Sequence, residues 1–420
     1  MNEVKNYITK IEGHGTIDIN FKKNSAKLSI DEGERLIEGI LLGRPYYDAP
    51  FVVSRICGVC PIAHNLASTI ALEDALKIKP SELTTKLRDL MICAQIIQSH
   101  TLHLYFLALS DYLNIPSTLS LVNSNPKIFK DAIALKTASD HLADTVAGRN
   151  VHPITTTIGG FLKIPAKKQL EKVLQELSNS LDIATNSVKL FSSFKYPELR
   201  NPTRYIALAN SHSYNMISKT VETSSSEKFN IRNYTKNIIE VVRLGCPSKY
   251  STYKNQPFML GALSRLSLHS QFLNPLAKKY FKKTITKLDS FPAYNSFHNN
   301  LSQSVEIVHF YEEAIKILKN LIKDKSYSDE SPVKYKLRAG RGFGALEAPR
   351  GTLYQFYELD DKGNIKHCNI ITPTAQSLTN LESDVQILLE STKNLPDKKR
   401  QKLVEMLIRA YDPCITCSVH

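Results

Sequence analysis

Polar and apolar residues alternate over Gly15-Thr16-Ile17-Asp18-Ile19-Asn20-Phe21 and again over Ala26-Lys27-Leu28-Ser29-Ile30. A period of two is that of a half-buried strand, so the two runs, separated by Lys22 to Ser25, predict a β-hairpin. From Glu32 to Leu42 the apolar spacing widens to three and four, which predicts a helix. The helical period continues over residues 66–77 and 81–113, where Ser81 stands as the N-cap of a long helix. Further helices are predicted over 126–146, 165–194 and 304–322. Strand character returns over 344–359 and 366–371, around the turn sequence Asp360-Asp361-Lys362-Gly363. Helices over 378–391 and 398–410 close the series. The chain therefore reads as mainly α with small β elements near each end. Residues 323–331 are polar enough for an exposed loop, and no repeat, low-complexity tract or linker divides the chain. One domain spanning 1–420 is expected.

Composition adds limits. With 420 residues, 42% hydrophobic and 22% charged, the chain can bury an ample core. No apolar run reaches the roughly 18 residues a membrane helix needs. The start, Met1 to Asn6, has no apolar h-region, so no secretory signal is expected and the compartment is read as cytoplasmic. A net charge of +14 raises nucleic acid as a partner. The basic residues, however, cluster as helical spots (Lys278, Lys279, Lys282, Lys283; Lys398, Lys399, Arg400, Lys402) without a binding module or an aromatic-interleaved stripe. Solvated helix faces, or an acidic partner protein, account for them, and no nucleic acid is expected.

Chemistry concentrates in cysteine. Of seven cysteines, four form two Cys-x-x-Cys pairs at opposite ends, Cys57 with Cys60 and Cys414 with Cys417, and His420 closes the sequence. Such pairs read as one four-thiolate metal site, formed jointly by residues 55–64 and 412–420, that draws the termini together. Spacing alone leaves a structural zinc open, although zinc knuckles normally lie within some tens of residues of each other. A thioredoxin-like role would need a βαβ context, and a disulfide framework an oxidising compartment. Cys93, Cys246 and Cys368 are read as ordinary thiols.

The flanks of the pairs say more. They are Arg55-Ile56-Cys57-Gly58-Val59-Cys60-Pro61-Ile62-Ala63-His64 and Asp412-Pro413-Cys414-Ile415-Thr416-Cys417-Ser418-Val419-His420. Between or before them stand Ile11-Glu12-Gly13-His14-Gly15, Glu32-Gly33-Glu34-Arg35 with Glu38 and Gly43-Arg44, and Gly148-Arg149-Asn150-Val151-His152-Pro153 with Gly159-Gly160-Phe161. Glu347-Ala348-Pro349-Arg350-Gly351 and Thr372-Pro373-Thr374-Ala375-Gln376 follow. In this order, over nearly the whole chain, the seven blocks resemble the large, catalytic subunit of nickel-iron hydrogenases. Lys10, Glu34 and Ser377 depart from the family pattern, away from any metal ligand.

The resemblance implies a hydrogenase large-subunit fold and reversible cleavage of H2 at a NiFe centre whose iron carries two cyanides and one carbon monoxide, Fe(CN)2(CO). It implies that Cys57, Cys60, Cys414 and Cys417 bind nickel, with Cys60 and Cys417 bridging to iron and Cys57 and Cys414 terminal. Soft thiolates suit both metals. Cys414, whose second lone pair is not committed to iron, would take the first proton. Glu12 matches the family's proton-gate glutamate; without its flanks it would read as a capping or salt-bridging residue. Arg350 would hang over the open metal position, held by Asp111 and Asp412. Asp111 by itself would be a polar residue ending a helix. Thr374, following Pro373, would donate to cyanide, and His64 to a bridging sulfur. Glu38, the carbonyl of Ile370 and His420 match a magnesium (or Fe2+) site. His420 stands where a maturation protease cuts family precursors, so the ending is expected to be either processed or encoded.

Implied partners are an iron–sulfur small subunit, further electron-transfer (diaphorase-like) subunits, the maturation protease and the proteins that insert nickel and iron. The Cys-Gly-Val-Cys-Pro start and histidine ending resemble the cytoplasmic, soluble-cofactor-linked branch, with NADP or NAD, deazaflavin or heterodisulfide reductase as acceptor; length leans towards NADP. No Gly-x-Gly-x-x-Gly follows a strand, so nicotinamide is expected on a partner. The alternative reading is a non-catalytic, zinc-binding scaffold of a redox complex.

Overall fold

The computed structural model describes residues 3–286, 291 and 294–420. The predicted hairpin forms from Gly15–Asn20 and Ser25–Ile30, with Ile17 opposite Leu28, and Glu3–Tyr7 adds a third antiparallel strand. The helix predicted over 32–42 shrinks to Ile37–Leu41. Leu36 takes a left-handed φ of 51°, and Arg35 is engaged elsewhere, its amide on the Val419 carbonyl at 3.2 Å and its guanidinium on the Thr416 carbonyl. A tertiary tie to the C-terminus thus overrides the local period.

Five long helices carry the core. Pro61–Leu76 begins with Pro at its first turn, where a missing N–H costs nothing. Glu82–Thr101 is capped as predicted, Ser81 Oγ accepting the Thr84 amide at 2.9 Å. It continues through a π-helical stretch, Leu102–Ala108, to Leu113. This helix packs against Pro126–Ala147 and His298–Lys323, and Lys167–Phe191 packs against both of those. His298–Lys323 begins six residues before its predicted start. Asn299, Asn300, Ser302 and Gln303 are buried in its first turns, and polar residues at core positions erase the apolar period there.

The run predicted as one strand over 344–359 is two, Gly340–Ala348 and Gly351–Leu359, folded back so that Ala348 pairs with Gly351. The reversal places Pro349 and Arg350 at the hairpin tip. Ile365–Ile371 adds the third strand after the predicted turn. The first strand lies directly on Pro61–Leu76, where a Cβ on Gly340, Gly342 or Gly344 would strike the carbonyls of Ala75, Ala71 and Ala67. Two residues along a strand advance about 6.7 Å and four along a helix about 6 Å, so the small residues stay in step for three contacts.

Strands are not confined to the ends. Arg204–Leu208, Thr220–Thr223, Lys228–Asn230 and Phe258–Met259 form a four-stranded sheet, and Ile238–Val242 pairs with Lys249–Tyr253. These strands are too short, and too rich in Ser, Thr and Asn at their borders, for periodicity to find them. Two more helices close the fold, Pro373–Ser391 and Asp397–Ala410. Among the described residues no helix is long and apolar enough to cross a membrane.

Candidate metal centre

The ends of the chain meet as their spacing predicts. Glu12 and Cys414 form a parallel bridge, and the Ile415 amide donates to the Glu12 carbonyl at 3.0 Å. Cys57 sits in extended backbone, and Cys60 is the N-cap of Pro61–Leu76, so its sulfur lies at the positive end of a helix. The amides of Val59 and Cys60 donate to Cys57 Sγ at 3.2 and 3.4 Å. Cys414 is the N-cap of the last short helix, Ile415–Ser418, and Cys417 lies within it.

All four sulfurs are buried and lie within 4.8 Å of one another. Cys57 faces Cys414 at 3.2 Å, Cys60 faces Cys417 at 3.4 Å, and Cys414 stands 2.9 Å from Cys417. A hydrogen bond with Cys414 pulls Cys57 well below the ordinary thiol range. Burial pushes Cys414 and Cys417 well above it. Four thiolates can therefore coexist in this pocket only around cations, and the soft donor set fits nickel and low-valent iron.

Arg350, at the hairpin tip, stands within electrostatic range of the sulfurs. Its Nε donates to the Asp412 carbonyl at 2.5 Å and its Nη2 to Asp412 Oδ1 at 2.7 Å. Burial works against its charge, but Asp412 and the thiolates of Cys414, Cys60 and Cys57 outweigh it and hold the guanidinium well above its ordinary range. It is a fixed cation and no base. Its third nitrogen, Nη1, faces Ser99 Oγ at 3.5 Å.

Asp111 does not share in holding Arg350. Its carboxylate pairs with Arg409, at 2.6 Å to Nε and 2.9 Å to Nη2. The sequence offered two acids for one arginine; the fold gives each acid its own.

Thr374 Oγ1, in the first turn after buried Pro373, accepts the Cys414 amide at 3.0 Å and fixes that ligand's backbone. His64 Nε2 is 3.6 Å from Cys417 Sγ. Burial lowers its pKa to about 4, so the ring is neutral, with one N–H to give.

Glu12 approaches the centre through a residue that pattern reading passed over. Its Oε2 accepts the Thr416 amide at 3.2 Å and its Oε1 the Thr416 hydroxyl at 2.5 Å, while that hydroxyl lies 3.8 Å from Cys414 Sγ. Thr416 stands between the two cysteines of the second pair, which was the available signal. Ser99 had none.

Glu38, Ile370 and His420 also converge. Glu38 Oε1 accepts the Ile370 amide at 2.6 Å. His420 Nε2 faces the Ile370 carbonyl at 2.8 Å while Nδ1 faces the Cys417 carbonyl, also at 2.8 Å. A neutral imidazole can donate to only one carbonyl. Burial lowers the His420 pKa, and a hard cation between Nε2 and the Ile370 oxygen would remove the conflict. The residues fit such an ion.

A family model described as nickel-dependent hydrogenase matches residues 35–150 and 204–420. The chain is 34% identical over 419 residues to sulfhydrogenase 1 subunit alpha of Pyrococcus furiosus, covering 99% of this chain and 96% of that one. It is 26% identical over 466 residues to the NAD-reducing hydrogenase HoxS subunit beta of Cupriavidus necator, covering 98% and 93%. Its fold superposes on a crystal structure of an NAD+-reducing [NiFe]-hydrogenase in the H2-reduced state with a TM-score of 0.89, at 22% identity and full coverage of both chains.

Proposed function

The chain belongs to the nickel-dependent hydrogenase family, and from that premise we propose how its own residues serve the reaction. It is the catalytic subunit of a nickel-iron hydrogenase, an oxidoreductase that splits H2 reversibly into two protons and two electrons. When bound, the nickel-iron pair supplies the site that polarises H2 and takes up its electrons.

Cys57 and Cys414 would hold nickel as terminal ligands, and Cys60 and Cys417 would be shared with an iron carrying cyanide and carbon monoxide. Support comes from the pairing of sulfurs, terminal facing terminal and bridge facing bridge, and from His64, which approaches Cys417. Arg350, at the hairpin tip, would offer a donor to cyanide. Thr374, behind Pro373, supports the Cys414 backbone and offers its hydroxyl to the other cyanide. The proton leaves Cys414 by way of Thr416 to the carboxylate of half-buried Glu12; ordered hydrogen-bond steps of this kind are what proton relay requires. Glu38, the Ile370 carbonyl and His420 would hold magnesium (or Fe2+) beside the C-terminal turn.

Electrons pass to an iron–sulfur small subunit and onward through diaphorase-like subunits to a soluble acceptor, NADP or NAD, in the cytoplasm. The name NAD-reducing hydrogenase among the relatives favours a soluble acceptor. The observation that carries the whole reading is the set of four buried sulfurs within 4.8 Å of one another beneath Arg350. Infrared spectra of the matured complex test it: bands of metal-bound carbon monoxide and cyanide are expected. Their absence, with zinc as the sole metal, would overturn it in favour of a scaffold.

A further inference from the structure

We infer that His103 is a buried imidazolium which, through Gln303, positions Asp412 and hence Arg350. His103 lies in the π-helical stretch Leu102–Ala108, and His103, Gln303 and Asp412 are each 1% exposed. One ring nitrogen, Nε2, stands 2.7 Å from the Arg409 carbonyl, and the other, Nδ1, stands 2.5 Å from Gln303 Oε1. Both partners are acceptors. A neutral imidazole has one N–H, whereas this ring is asked for two.

Reversing the Gln303 amide does not remove the demand. The amide nitrogen now donates to Asp412 Oδ2 at 3.0 Å. Turned over, it would donate to His103 but set its oxygen against that carboxylate, which would then need a proton of its own. Either way the row Asp412–Gln303–His103–Arg409 carbonyl holds one proton more than an ionised aspartate and a neutral histidine supply. Arg350 Nη2, 2.7 Å from Asp412 Oδ1, decides where it sits, because a guanidinium partner keeps a carboxylate ionised. The proton belongs to His103.

His100, one turn earlier, shows the contrast. Its Nε2 meets Glu306 at 2.7 Å and its Nδ1 has no partner among the described residues, so one N–H satisfies it. The charge count around Asp412 agrees with an imidazolium. Arg409 is matched by Asp111, with Glu405 a further 3.8 Å away, whereas Arg350 and His103 share the single charge of Asp412, which lies 3.9 Å from the ring. Buried charges persist where something compensates them, and Arg350, which shares Asp412 with His103, is itself held charged by the thiolates of Cys414, Cys60 and Cys57. His103 is thus a positioning residue: it fixes the carboxylate that orients Arg350 and adds to the field at the sulfurs. This last part rests on the reading of the centre given above.

Neutron diffraction from deuterium-exchanged crystals of the assembled enzyme near neutral pH tests the charge directly. Deuterium is expected on both Nδ1 and Nε2 of His103 and absent from Asp412. One bare ring nitrogen, or a deuterated Asp412, overturns the inference. In the purified complex carrying His103→Gln, loss of the cation should move the carbon monoxide stretch to lower wavenumber with nickel and iron content retained. A folded, metal-replete variant with unmoved bands overturns the field effect. Wild-type enzyme without such bands overturns the metal reading instead, which the deuterium count tells apart.

Discussion

Asp111 and Arg409 form a buried bidentate pair, and Arg409 Nη1 goes on to the Thr9 carbonyl at 3.2 Å. The pair thus ties the arm leading to Glu12 to the helix leading to Asp412. Asp111→Ala would leave a buried guanidinium without its bidentate partner and with only Glu405 as an acid, 3.8 Å away, at a cost of up to about 3–5 kcal/mol. A lowered unfolding temperature is expected, with the infrared bands of the folded fraction unchanged, since Arg350 keeps Asp412. Bands lost while stability holds would refute this pairing.

Glu12→Gln preserves an acceptor for the Thr416 amide and hydroxyl but cannot carry a proton. Hydrogen uptake and H/D exchange should fall by about 100-fold or more with nickel and iron content intact. Thr416→Val should act in the same direction, more weakly. Exchange at the wild-type rate in Glu12→Gln would exclude this route.

Gly342→Ala sets a methyl group against the Ala71 carbonyl, a backbone atom that cannot swing aside. The strand must lift from Pro61–Leu76, at about 1–3 kcal/mol or more. Since that helix begins at Cys60, nickel per chain should drop along with stability. Gly39→Ala, with nothing within 4 Å, serves as the neutral control.

Asp89 and His309 line one cavity of about 190 Å³ and answer pH in opposite senses. Burial, helped by Glu313, pushes Asp89 up to about 7, and burial lowers His309 to about 4. Between roughly pH 4 and 7 the folded state holds the Asp89 proton that the unfolded chain releases, so Asp89 makes the fold less stable as pH rises. From the unfolded value of 6.5 down to 4, His309 does the reverse, making it less stable as pH falls. Asp89→Asn should therefore expose a stability that climbs with pH up to about 6.5. Above pH 7 it should exceed the wild type by up to a few kcal/mol, since each tenfold difference in proton affinity between folded and unfolded chain is worth about 1.4 kcal/mol. Denaturant titrations across this range would show it; a variant less stable than wild type above pH 7 would contradict it.

His420→Ala should lower bound magnesium (or iron) per chain, as read by elemental analysis, because the ring is one of two side chains at that site. Metal content equal to wild type would remove His420 from the ligand set.

Much of this was open to reading in one dimension. Ser81 announced its helix, Asp360 to Gly363 announced their turn, and the two cysteine pairs announced their meeting. The hairpin tip at Pro349-Arg350 was marked by Pro349 and Gly351, turn residues set between two runs of strand character that read as one. The early turns of His298–Lys323 stayed hidden because Asn299, Asn300 and Gln303 are buried by tertiary hydrogen bonds to Ala410, Tyr112 and Asp412.

The linear order of residues was enough for the donor set and the joining of the ends, since thiolate pairs at fixed spacing have few other uses. It was enough for the family too, through the succession of its blocks. Which acid meets which arginine was settled only when the chain folded. Ser99 and Asp111 stand on one continuous helix about 18 Å apart along its axis, so both cannot meet Arg350. The π-helical stretch between them alters the helical phase, and no projection from the sequence could tell which of the two faces the metal. The same stretch carries His103, whose charge follows from acceptors contributed by segments some 200 and 300 residues away.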